Sequence, residues 1–411
     1  VSTVLVSGGV SAAETRRTFL ITEFGAVGDG QTLNTKAIQS TVESCSTNGG
    51  GVVVVPKGTF LTGAIFLKPR VNLHVEKDGV LKGSDRLEDY PMVPTRWEGR
   101  DKDWVAALVN ADKCDGFQLS GEGVIDGSGE RWWKLFWELR EAKDPELEFK
   151  ARRPRLVCIS NSRDVRVSGL HLQNQAVWCL HLLYCQDVTV DGLTIRAPAP
   201  APSSDGIDVD SCKGVRINNC DIEVNDDCIS IKSGRDLEGW RAGRPSEDIL
   251  VENCRFGYGH GGVALGSETS GGIRNVEVRD CVFEGDNWAP IRFKSAPSRG
   301  GVIENITFRD IRIREVRRAF EFNLGWGGTN RIEGVPLPEL RNVTISNVSG
   351  SAQSGGIIVG LRGSPIQNVR FENCKVSAQK GLAIRNARSV DYSGLELTVR
   401  EGPPVTLSGV E

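Results

Sequence analysis

No apolar run in the sequence approaches the ~18 residues that a membrane-spanning helix needs. Neither sign of charge dominates: 50 Lys+Arg stand against 53 Asp+Glu, a net charge of −3. The first absence excludes a helical membrane span. The second excludes a strongly basic nucleic-acid binder and an acidic disordered tail. None of the 11 cysteines forms a CxxC pair, which removes a common zinc-binding spacing. Glycine, by contrast, is abundant at 48 of 411 residues, about 12% against an average near 7%. Turns and close backbone approaches follow from that, in a folded chain long enough to bury a full core.

Val1–Ala13 reads VSTVLVSGGVSAA. It has two readings: the tail of a secretory signal cleaved near Ser11-Ala12-Ala13, or an ordinary flexible terminus. Residues 1–19 are therefore set apart from a single domain over 20–411.

After residue 160 one pattern recurs, a small polar residue followed by apolar-x-apolar. It starts at Asp164-Val165, Asp187-Val188, Gly214-Val215, Asp248-Ile249, Asn275-Val276, Asn305-Ile306, Asn342-Val343 and Asn368-Val369, with a weak last copy at Val390. The underlying unit is about 22–27 residues, lengthened by loops, and holds short strands with no helical stretch between them. Such a unit cannot bury its apolar face alone; stacked units can. The fold class predicted is all-β, a parallel β-helix, right-handed on the usual hand of parallel crossovers.

A ladder inside the sequence supports the stack. A few residues beyond each start lie Leu170, Leu193, Cys220, Cys254, Cys281, Ile311, Val348, Cys374 and Leu395. In a coil stack these form one inward column, so its four cysteines read as small buried hydrophobes; disulfides between coils are the alternative. At the other end, Asn34–Cys45 places Ala37, Ile38 and Val42 at helical spacing. That predicts a short N-terminal helix capping the core, followed by strands at Val52–Val55 and Val71–Val75. Two capped ends would suit a monomer.

Two inserts interrupt the coils. Residues 128–155 carry Trp132, Trp133 and Trp137, and residues 234–247 carry Arg235, Trp240, Arg241 and Arg244. Inserts on a solenoid gather on the binding face, where Trp beside Arg would stack on a sugar acid and pair its carboxylate. The alternative is that these tryptophans pack the insert onto the coil wall.

Four successive coils carry a polar cluster just before a strand: Ser203-Ser204-Asp205, Asn225-Asp226-Asp227, Gly259-His260-Gly261 and Arg292-Phe293-Lys294. Aligned on their strands, Asp205 and Asp227 share a column, as do Asp226 and His260, while Arg292 and Lys294 alternate with core-facing Ile291 and Phe293. Coils stack ~4.8 Å apart, so three carboxylates crowd beside an imidazole and two cations. At least one acid should then stay protonated near neutral pH, which is equipment for glycoside hydrolysis. Arg292 and Lys294 would hold an anionic substrate group. Asp208 and Asp210 read as turn acids satisfying backbone N–H groups. His74 and His171 read as structural, and His181, in Trp178-Cys179-Leu180-His181, as a residue that could line the groove.

Together, in order, these four clusters resemble the motifs of the polygalacturonases, family 28 of the glycoside hydrolases: Asn-Thr-Asp, Asp-Asp, Gly-His-Gly and Arg-Ile-Lys. Phe24-Gly25-Ala26-Val27-Gly28-Asp29-Gly30 also resembles the opening of this family. The first motif departs in Ser203-Ser204 and the last in Phe293. The resemblance implies metal-free, inverting hydrolysis of α-1,4-linked galacturonate without cofactor. It implies Asp227 as general acid, Asp205 and Asp226 activating water, His260 positioning the acid, and Arg292 and Lys294 gripping the carboxylate. Trp326 would replace the family's substrate-contacting tyrosine, and Trp240 and His181 join the substrate-binding candidates.

The substrate implied is pectic, in polymer or oligosaccharide form, acted on outside the cell or in the periplasm. Exo action follows if the 128–155 insert blocks one end of the groove. The alternatives are a rhamnogalacturonan or related pectic hydrolase, a calcium-dependent pectate lyase, and a non-catalytic carbohydrate-binding β-helix.

Overall fold

The computed structural model describes residues 17–410, so the expectation for Val1–Ala13 falls outside the described residues. Thirty strands form one continuous sheet in which sequence-distant strands pair in parallel, coil on coil. This is a parallel β-helix. Each repeat start sits at the same register: Val165 pairs with Val188, Val188 with Val215, Val215 with Ile249, Ile249 with Val276, and so on to Val390.

The small polar residue before each start has a backbone cause. Asp164, Asp187, Asp248, Asn275, Asn305, Asn342 and Asn368 all have φ between 51° and 58°, and Gly214 has φ 67°. This left-handed region costs most L-residues about 1–2 kcal/mol and is tolerated by Gly, Asn and Asp. Each coil turns its corner there. The column of Leu170, Leu193, Cys220, Cys254, Cys281, Ile311, Val348 and Cys374 is buried, Leu395 being half-buried. All eleven cysteines are buried and free, so the coils are held without disulfides.

The helix Thr35–Thr47 covers the N-terminal end of the core with buried Ile38, Val42 and Cys45. The first coil begins with the strand Thr18–Leu20, which pairs with Gly51–Val55. The other end differs from the expectation of two caps. The last strand, Leu395–Val410, pairs only with Cys374–Asp391 and is mostly exposed, and no helix covers it among the described residues.

The insert at 128–155 folds as helices Glu130–Glu141 and Leu147–Lys150. Trp132 and Trp133 are buried, Trp133 donating its indole N–H to the Gln175 carbonyl at 3.0 Å. Trp137 donates likewise to the Pro200 carbonyl. These tryptophans fasten the insert to the coil wall and do not face a groove. One further excursion, not signalled by the repeat, is an antiparallel hairpin of Met92–Trp97 and Arg100–Val105.

Candidate active site

The site grows out of strand alternation on one wall of the helix. Leu180–Leu183, Ile207–Asp210, Asp227–Lys232, Gly261–Leu265 and Ile291–Lys294 stack in parallel. Ile207, Ile229, Val263 and Ile291 point inward, as do Val209, Ile231, Leu265 and Phe293, all fully buried. Because side chains alternate, the residues between them point outward. One outward column runs His181, Asp208, Ser230, Ala264, Arg292, Glu321, and its neighbour holds Leu183, Asp210 and Lys232. Asp205, Asp226 and His260 lie at the turns feeding these strands, and Asp227 opens its strand.

Their side chains meet in a cleft of about 650 Å³. Asp205, Asp226 and Asp227 each present an oxygen within 4.8 Å of the others. Asp227 is buried and held by two cations: Arg292 Nη1 donates to its Oδ1 at 3.2 Å, and Lys294 Nζ contacts its Oδ2 directly. Arg292 also donates to the His260 carbonyl at 3.0 Å, and its Nε lies 3.3 Å from Glu321. A methyl at Gly261 would lie 2.5 Å from Asp227 Oδ1, so only glycine leaves room for this carboxylate. Trp326 covers the cations, its ring centroid 4.8 Å from the Arg292 guanidinium and 5.6 Å from Lys294 Nζ.

The local backbone fixes the acids. The Asp227 N–H donates to Asp226 Oδ1 at 2.9 Å, and the His260 N–H donates to the Asp226 carbonyl at 3.0 Å. Ser204 is buried; its hydroxyl accepts the Asn225 N–H at 3.0 Å, tying the Asp205 turn to the Asp226 turn. The His260 imidazole faces Asp226, Nδ1 to Oδ1 at 3.7 Å, whereas the Asp227 carboxylate is engaged by Arg292 and Lys294.

Two candidates lie away from the cleft. His181 stands on the outer face of the wall but is fully buried there, where Arg155 donates to Nδ1 at 2.6 Å and Asp210 lies 3.7 Å from Nε2. Trp240 is exposed on the helix Asp236–Ala242 but packs beside Gly300 and does not line the cleft. Asp208 and Asp210 also differ from the expectation of backbone-bound turn acids. Asp210 accepts from Arg96 at 2.9 Å, and both Asp208 oxygens lack a hydrogen-bond donor.

Several site residues escaped the sequence reading. Lys232 reaches into the cluster, 3.6 Å from Asp205, 3.5 Å from Asp208 and 3.4 Å from Glu268, under the Trp178 ring. The signal was available: Lys232 stands outward by the same alternation that singled out Arg292 and Lys294. Glu98, at the hairpin tip, lines the cleft too. The Arg235 N–H donates to the Gly99 carbonyl at 2.9 Å, joining the hairpin to the helix Asp236–Ala242. Gly99 has φ 76°, and a Cβ there would meet Arg235 Cβ at 2.7 Å, so the tip approaches this closely only as glycine.

Burial and charge push these acids apart. Burial drives the Asp205 carboxyl well above its usual range, with Asp208 and Asp226 adding to it against Lys232. Burial lifts Asp208 to about 7, opposed by Lys232. Burial also acts on Asp227, but Lys294, Arg292 and Lys232 outweigh it and hold that carboxylate at about 2. The site thus sets a carboxyl of raised proton affinity, Asp205, beside one of lowered proton affinity, Asp227. The same cations bear on metal binding. Calcium takes six to eight oxygens, whereas here three resident cations already engage the carboxylates, a donor set that does not suit it.

Residues 45–393 match the family model of glycosyl hydrolases family 28. The chain belongs to this family. Among its family 28 relatives is a probable polygalacturonase of Vitis vinifera, 33% identical over 82% of this chain and 70% of that one. An exopolygalacturonase structure from Thermotoga maritima superposes with a TM-score of 0.81, at 31% identity, over 93% of this chain and 92% of that one. The family 28 exopolygalacturonase of Yersinia enterocolitica gives 0.84 at 25% identity, over 96% and 77%. Family membership makes the chain a glycoside hydrolase, which sets aside the lyase and binding-module readings.

Proposed function

We propose that this family 28 enzyme hydrolyses α-1,4-galacturonosyl linkages, removing units from the end of a pectic chain with inversion. The observation that carries the reading is the grip of Arg292 and Lys294 on Asp227, beside Asp205 and Asp226. A galacturonate carboxylate entering under Trp326 competes with Asp227 for those two cations. Its arrival withdraws the charges that hold Asp227 ionised, and the buried Asp227 then takes up a proton and serves as general acid to the leaving oxygen. Asp205 and Asp226 orient a water and accept its proton as it attacks the anomeric carbon from the opposite face. Substrate carboxylate and acid are thereby coupled, so a neutral sugar at this position leaves the acid unprimed.

Exo action is supported by the hairpin and not by the 128–155 insert, none of whose residues lines the cleft. The hairpin tip meets the helix Asp236–Ala242 at the cleft rim and brings Glu98 into it. The Thermotoga and Yersinia structural relatives are exopolygalacturonases. Action on polymeric pectin requires the enzyme outside the cytoplasm, and the absence of disulfides leaves its fold independent of an oxidising compartment.

The carboxyl spacing by itself is shorter than the ~6.5–9.5 Å usual for inverting pairs, so inversion rests on the family resemblance and on water held between Asp205 and Asp226. Proton NMR of the first product decides it: the β anomer of monogalacturonate is expected. An initial α anomer overturns inversion, and a ladder of oligomers overturns exo action.

A further inference from the structure

Lys232 is a buried ammonium with three N–H groups and three carboxyls around it, those of Asp205, Asp208 and Glu268, at 3.4–3.6 Å. Asp208 is fully buried and both its oxygens lack a donor. An ionised carboxylate without a donor is among the costliest groups to bury, and the Asp205 carboxyl, also buried, faces the same Lys232 ammonium. We propose that Lys232 and Asp208 are positioning residues for Asp205, the two carboxyls sharing one proton beneath the Lys232 ammonium. This rests on the hydrolase reading and adds to it two residues that reading does not use.

The arrangement gives the shared proton a resting place. With it on Asp208, Asp205 is a carboxylate facing the cleft. When water attacks the anomeric carbon, its oxygen forms the new C–O bond and its proton passes to Asp205. Asp227 gives its own proton to the leaving oxygen as the glycosidic bond breaks. Lys232 keeps its positive charge throughout, balanced by Glu268. Burial pulls the Glu268 carboxyl upward, but Lys232 and more distant cations outweigh it and hold the group below its usual range. The other charges facing the dyad are Asp226 and Asp227 from the next coil and the more distant Arg153. The dyad is expected to titrate as a pair, in two steps that belong to both residues.

Titration of the protein carrying 13C at its aspartate carboxyls, with Asp205→Asn and Asp208→Asn for assignment, tests this without substrate. In the native enzyme Asp205 and Asp208 should titrate in two coupled steps above the ordinary carboxylate range. Lys232→Gln should move the Asp205 step to higher pH, and Asp208→Asn to lower pH, each by about 1–3 pH units. The acid limb of kcat/KM on polygalacturonate should follow in the same opposite directions, with Lys232→Arg restoring the native position. Independent titration of both residues in the ordinary range overturns the proposal, and the native protein alone is enough to show it if a variant fails to fold. Shifts in the same direction for the two variants, or an unmoved acid limb, overturn it also. A native enzyme that cleaves no galacturonan overturns the hydrolysis reading instead, while the titration still decides the dyad.

Discussion

Arg292 donates from Nη1 to Oδ1 of Asp227 over 3.2 Å, across 65 residues of chain. The contact exists because two coils of a solenoid bring a turn and a strand together, and because Glu321 and Trp326 hold the guanidinium in place. It makes Asp227 a strong acid in the free enzyme and ties its release to an incoming anion.

Asp227→Asn keeps the size of the side chain and removes the proton donor. Turnover on polygalacturonate is expected to fall by about 10²–10⁴-fold, with the melting transition and circular dichroism showing that the coils still form. Retained turnover would move the acid elsewhere.

Lys294→Ala removes one of the two cations offered to the substrate carboxylate. A hydrogen bond to a charged group contributes about 1.5–3 kcal/mol, so kcat/KM on unesterified polygalacturonate should fall by about 10–100-fold. Activity on methyl-esterified pectin, which lacks that anion, should change less. Kinetics on the two substrates side by side checks this.

Acid should unfold the protein in two stages. Burial, with the Arg155 charge, holds His181 down at about 4, and Arg155 donating to Nδ1 requires the ring to be neutral. A lowered histidine contributes stability that is present above its unfolded value near 6.5 and lost as pH falls through about 4, an effect of order 3 kcal/mol. Asp210 and Asp227 are each held at about 2, against burial, mainly by Arg96 for the first and Lys294 for the second. Their contribution is present above the ordinary carboxylate range and lost as pH falls through about 2. Urea unfolding across this pH range should show both windows, and His181→Asn should flatten the upper one.

Shortening the hairpin at Glu98-Gly99 removes its contact with Arg235. Product chromatography should then show oligogalacturonates beside the monomer. An unchanged profile would place the block to longer chains elsewhere.

Much of this was legible in the sequence because a coil stack has few degrees of freedom. The left-handed corner demands Gly, Asn or Asp, so those residues mark the repeat at Asp187, Asn275 and Asn342. Period-2 alternation then separates Phe293 from Arg292 and Lys294. The same rule, extended, finds Lys232 and turns Asp208 outward. Asp208 is masked in the sequence because Asp so often serves the backbone at turns, and Lys232 because it lies five residues beyond the Asp227 turn. The hairpin Met92–Trp97 and Arg100–Val105 left no trace in the repeat, since it pairs with itself and not with a coil. Trp240 and His181 show the limit of residue type alone. One packs beside Gly300 and the other is sealed behind Arg155 and Asp210, and neither placement follows from its neighbours in sequence.

The most direct test of metal-free hydrolysis through Asp227 is incubation of the native enzyme and Asp227→Asn with polygalacturonate in excess EDTA, reading reducing ends and the ultraviolet absorbance of unsaturated uronate together. Reducing ends without absorbance are expected from the native enzyme, undiminished by the chelator and almost abolished by the substitution. Unsaturated product, loss of activity to EDTA, or equal activity of the two proteins would contradict it.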